Sequence, residues 1–166
     1  MNTGMEKICQ AMADYLEGRG IPASTAWPMT PREEKGPVVV VSLRSCQAGP
    51  AGFQDYLGER YNQETGLWEE CFGKQAELTL GLDIYAPEGG DGQVVRQTFD
   101  QLAGALILGG PEGLRAEEFS WEEMDYDSQS RRLRGRVRAV CRVCLQGIAE
   151  SGGEFVDFEL RGVVKQ

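Results

Sequence analysis

Histidine is absent from the 166-residue chain. That absence excludes nucleophilic catalysis of the Ser-His-Asp and Cys-His kinds and removes the commonest metal ligand. Long apolar runs are missing too: stretches such as Val38–Val41 are far too short to span a bilayer. Residues 1–10, MNTGMEKICQ, lack a basic region followed by an apolar one, so no signal peptide is expected and a cytosolic origin is the default. Basic residues are the minority, 17 against 26 acids, and the net charge of −9 argues against generic binding to nucleic acid or anionic membrane. Cysteine is odd in number and scattered: Cys9, Cys46, Cys71, Cys141 and Cys144 read as free thiols. Cys141 and Cys144 form a C-x-x-C, but three residues apart on a strand they face opposite sides and cannot chelate one metal. The glycine-rich PEGGDGQ (87–93) has neither phosphate-loop spacing, and its acids would repel phosphate, so it reads as a turn. No catalytic residue, metal site or cofactor site is expected.

The strongest positive signal is Arg131–Leu145, RRLRGRVRAVCRVCL. Odd positions from Leu133 to Leu145 are small or apolar, and Arg132, Arg134, Arg136, Arg138 and Arg142 take even ones. A period of two marks a strand with one buried face. Just before it, residues 112–127 hold seven acids and one base. An acidic strand over Leu114–Met124 therefore pairs with the arginine strand through the turn YDSQS. Centred on Ser128, that hairpin sets Glu122 opposite Arg134, Glu118 opposite Arg138, Phe119 opposite Val137 and Trp121 over Gly135. Arg132, Arg136 and Arg142 would then be left for other contacts. The stripe has three readings: cross-strand ion pairs, an intersubunit surface suited to planar guanidinium groups, or a phosphate-contacting surface that the adjacent acids would neutralise.

The remaining elements follow from periodicity and punctuation. Asn2–Gly18 is an amphipathic helix with an apolar stripe of Met5, Ile8, Cys9, Met12 and Leu16 and a Thr3–Glu6 capping box. A proline-rich arm follows, with Trp27 as its anchor. Val38–Cys46 is a central strand, and residues 47–52 are a turn. Phe53–Arg60 and Gly66–Phe72 bracket a hairpin or projecting flap. Lys74–Tyr85 is a strand with Leu78, Leu80, Leu82 and Ile84 on one side. Asp91 N-caps a helix over Gln93–Leu108, stopped by Gly109-Gly110-Pro111. After a polar connection over 146–153, Phe155–Val164 is a last strand joined through the ESGGE turn. The order implies one α+β domain over 1–166, with a mostly antiparallel sheet and both helices on one face.

This succession resembles the phage tail-terminator and tail-completion proteins. The resemblance is carried by the N-terminal amphipathic helix, the P-x-V-V-V strand, QAELTLGLDIYAP, the helix TFDQLAGALI and the closing YDSQSRRLRGRVRAVCRVCL. The segment FQDYLGERYNQETGLWEECFGKQAELTLGLDIYAP is similar to small tail-assembly proteins of prophages. The resemblance covers about three quarters of the chain. It implies a non-enzymatic, cofactor-free subunit that closes into a ring, commonly a hexamer. The ring would cap the tail tube and meet the head connector, in a virion tail made in a bacterial cytoplasm. The 53–72 insertion departs from that pattern. The family has no short signature to transfer, so the candidate subunit interface is read from this chain itself: Arg132, Arg136, Arg142, Tyr56, Tyr61 and Trp68. Two alternatives stand beside it. One is a monomeric protein-binding module using Tyr56, Tyr61 and Trp68 of the flap as anchors. The other is an acid-dependent metal hydrolase built on Glu117–Glu118, Glu122–Glu123 and Asp125/Asp127.

Overall fold

The computed structural model describes residues 4–25, 36–50, 55–149 and 155–161. The expected Thr3 cap, the proline-rich arm with Trp27, the ESGGE turn and the end of the last strand lie outside them. Helix α1 (Gly4–Gly18) comes first, then strands β1 (Ala23–Ser24), β2 (Val38–Pro50), β3 (Tyr56–Asn62) and β4 (Leu67–Tyr85). Helix α2 (Gly92–Leu108) precedes β5 (Arg115–Asp127), β6 (Arg132–Ala149) and β7 (Phe155–Arg161). The fold is α+β, with every strand pairing antiparallel except the short β1, which runs parallel to β2.

The main sheet has the order β1-β2-β4-β6-β5, with β3 added to β4 and β7 added to β6. Strands β4 and β6 organise everything else. At 19 and 18 residues, each runs roughly 60 Å at ~3.3 Å per residue. One half of the β4–β6 ribbon is flanked by β2 and β5 and forms the body. The other half is flanked by β3 and β7 and forms an arm.

The body core follows the alternation seen in the sequence. Leu78, Leu80, Leu82 and Ile84 of β4 are fully buried, as are Val137, Ala139, Cys141 and Val143 of β6. They share one core with Ile8, Met12 and Leu16 of α1 and with Val95, Leu102 and Leu106 of α2. Each large aliphatic chain buried this way contributes about 1.5–3 kcal/mol. The Tyr15 hydroxyl donates to the Ala105 carbonyl at 2.7 Å, tying the two helices together. Asp91 caps α2 as expected, accepting from the Gln93 and Val94 amides at 3.1 and 3.3 Å.

Several boundaries differ from the sequence reading, and for one reason. The expected strands 66–72 and 74–85 are a single strand, so β2 has a partner beyond Cys46. The residues expected to turn, Gln47–Pro50, instead pair with Glu77–Lys74. The polar segment after Leu145 likewise stays in strand β6 to Ala149, paired with Glu70–Gly73 of β4 and with β7. A long ladder supplies hydrogen-bond partners that override weak local turn signals.

Candidate assembly surface

The outer face of the body sheet carries the charges. The β5–β6 turn is set later than the sequence suggested: Asp127 pairs with Arg132 and Asp125 with Arg134, rather than Glu122 with Arg134. The Asp127 carboxylate accepts from the Ser130 hydroxyl at 2.6 Å and the Ser130 amide at 3.2 Å. Arg131 takes a positive φ of 56° to close the loop. Two bulges, between Ala116 and Glu118 and between Trp121 and Glu123, then shift the register. Phe119 consequently faces Ala139, and Trp121 faces Val137. The aromatic nevertheless covers the glycine: a Cβ on Gly135 would lie 3.0 Å from Trp121 Cη2 and 2.6 Å from Val95 Cγ1.

The revised register closes arginines that were expected to be available. Arg134 grips Asp125 with both ends, Nε–Oδ1 3.0 Å and Nη2–Oδ2 2.7 Å. Arg136 reaches the same carboxylate at 3.1 Å and Glu123 at 3.6 Å. Arg142 lies 3.2 Å from Glu117, and Arg138 lies 3.9 Å from Glu118 and from Glu122. Arg132, opposite Asp127, is half-buried and also has a partner. The extra residue of a β2 bulge, Arg44, reaches Asp83 at 2.7 Å and Glu122 at 3.5 Å. The Arg134 bond holds Asp125 below the usual carboxylate range, with Arg136 adding to it, and the Ser130 hydroxyl does the same for Asp127. None of Arg132, Arg136 and Arg142 is a loose cation awaiting a neighbour.

The arm presents a different surface. Three directly opposed pairs of β3 and β4 share one of its faces: Tyr61 with Trp68, Glu59 with Glu70, and Tyr56 with Phe72. The two aromatic pairs meet edge to face, with centroids 5.4 and 5.5 Å apart. Tyr56, Tyr61 and Trp68 are 44, 50 and 64% exposed, and Leu67, next to Trp68 in the chain but opposite Asn62, is 59% exposed. On the opposite face Glu69 is held by Arg60 at 3.0 Å and by the Asn62 amide at 2.8 Å. Those hydrogen bonds, Asn62's first, lower its carboxyl below the ordinary value.

A third feature escaped the sequence reading. Beyond the α2 stripe, Ile107 and Leu108 are 73 and 72% exposed. They border a cleft of about 540 Å³, also lined by Gly109–Pro111, Leu114, Arg115, Glu117 and Phe119. Two consecutive apolar residues past the last buried position were a visible signal. The facing of Arg115 and Arg142 across the ladder was not, because it depends on both bulges.

Among the described residues, no group of three or more Cys, Asp or Glu side chains is placed to hold a metal. Cys141 is buried in the core and its thiol is pushed up to about 12, chiefly by that burial. Its C-x-x-C partner Cys144 is half-buried and sits opposite Gln75.

No family model matches the chain, and no curated protein matches it. One similar solved structure is described as a sheath/tube terminator, in the extended state, of the PVC extracellular contractile injection system. The identity is 16% and the TM-score 0.49, and the match covers 100% of this chain and 65% of that one. This chain thus spans just under two thirds of its neighbour's length, and a likeness at that level decides neither fold nor function.

Proposed function

We propose that this protein is a structural subunit of a phage-like tail, a terminator that self-associates into a ring at the end of the tail tube. The observation that carries the proposal is the arm. Its β3–β4 hairpin displays Tyr56, Tyr61, Leu67 and Trp68 to solvent, and exposed aromatic anchors of this kind mark a binding surface rather than a reaction centre. The element order that gave the resemblance supports the same reading. The partners on this reading are further copies of the chain, the tail tube and the head connector, and a ring of six is the expected size. Arg132, Arg136 and Arg142 would contribute at the periphery, Arg136 and Arg142 as ion pairs already formed within each subunit.

Electron microscopy of the purified chain, alone and mixed with tube subunits, tests the proposal. Ring-shaped particles, and tubes of limited length when the chain is present, are expected. Unrestricted tubes with the chain unbound would overturn it. The arm equally suits a monomeric module that captures a partner protein through the same aromatics. Tight binding of tube protein by a chain that never self-associates would favour that alternative.

A further inference from the structure

Two like-charge oppositions stand out in the sheet. Glu59 faces Glu70 across β3–β4, both exposed, between the Tyr61–Trp68 and Tyr56–Phe72 pairs. Arg115 faces Arg142 across β5–β6, both exposed, where Arg115 lines the cleft beside Ile107 and Leu108. Like charges directly opposite destabilise a ladder. Arg142 is drawn toward Glu117, the only acid among the described residues lining the cleft. Arg115 makes no ion pair among the described residues.

The two surfaces are chemically matched. Residues 56–72 hold four acids and one base, and the base, Arg60, is bound to Glu69. The arm therefore offers apolar rings flanking uncompensated carboxylates. The cleft offers apolar walls and an uncompensated guanidinium. They cannot meet within one chain: Arg142 lies level with Glu77 of β4, and Trp68 is roughly 30 Å farther along that strand at ~3.3 Å per residue.

We infer that the arm face of one copy docks into the α2–β5 cleft of a second copy, with Trp68 and Tyr61 against Ile107 and Leu108 and the Glu59–Glu70 pair against Arg115. This names the contact for the self-association proposed above, and it rests on that reading. Because donor and acceptor surfaces differ, the contact is head-to-tail, and repeated copies close into a ring when the rotation permits. The edge-to-face rings are ordered before binding, so little side-chain entropy is lost on docking.

The test uses full-length chain in sedimentation velocity over a concentration series. Trp68→Ala blocks the arm and Ile107→Glu blocks the cleft, and a cooperative thermal unfolding curve checks that each variant is folded. Each variant alone is expected to weaken self-association about thirtyfold or more. An equal mixture of the two should form a two-copy species, because one intact arm meets one intact cleft. Arg115→Glu should weaken assembly, and adding Glu70→Arg should restore it. Wild-type assembly with both single variants assembling normally would overturn the contact while leaving self-association intact. So would variants that fail alone and also fail when mixed. A wild-type chain that stays monomeric throughout would overturn the self-association reading itself, and the contact with it.

Discussion

At the residue scale, Gly135 and Asp125 show how a single position holds the β5–β6 hairpin to the body. Gly135 leaves the space that Val95 and Trp121 occupy. Trp121 in turn meets Phe99 of α2 edge to face at 5.1 Å, so the glycine lets α2 and β5 close over the same point of β6. Gly135→Ala should cost about 1–3 kcal/mol, the usual penalty of overpacking a filled core, read as a lower denaturant midpoint with an unchanged slope. Asp125 acts through charge. Its folded pKa, like that of Asp127, is lowered from the ordinary aspartate value, which is about 3.9 in an unfolded chain. The stability these groups supply is therefore complete above that value and is lost as pH falls through the depressed folded values. Unfolding temperature should drop as pH is taken from about 5 towards 2, and Asp125→Asn should lower it at neutral pH while flattening that acid response.

At the element scale, strand existence was legible in the sequence and strand register was not. The alternation in β4 and β6 named Leu78, Leu80, Leu82, Ile84, Val137, Ala139, Cys141 and Val143 as core, because a period of two survives wherever the ladder is regular. In β5 the apolar positions change parity, from Phe119 and Trp121 to Met124, which is the mark of a bulge. The reading centred on Ser128 set the turn too early, which put the wrong acid opposite Arg134, and it assumed no bulge farther along the ladder. For the assembly surface, the flap aromatics were legible as a cluster, whereas the Arg115–Arg142 opposition depends on a register that only the folded chain shows. The correction changes what a charge reversal at Arg136 would report. Arg136→Glu now sets a third carboxylate beside Asp125 and Glu123 and should destabilise the hairpin itself. These groups are largely solvated, so the expected cost is modest, roughly 0.5–1 kcal/mol. It should shrink in high salt as screening sets in, a dependence visible in thermal melts at low and high ionic strength.

At the scale of the whole molecule, two long strands do two jobs. Their body half is capped by helices and carries a charged outer face whose ion pairs close within the chain. Their arm half carries β3 at its edge and leaves tyrosine, tryptophan and leucine in water. A protein that used this sheet only for its own stability would gain nothing from that exposure, and a subunit of an assembly gains an anchor. The chain's mass in solution as a function of concentration, by native mass spectrometry or sedimentation equilibrium, tests this most directly. The account predicts a discrete multi-subunit species that grows with concentration, and a chain that remains strictly monomeric at high concentration would contradict it.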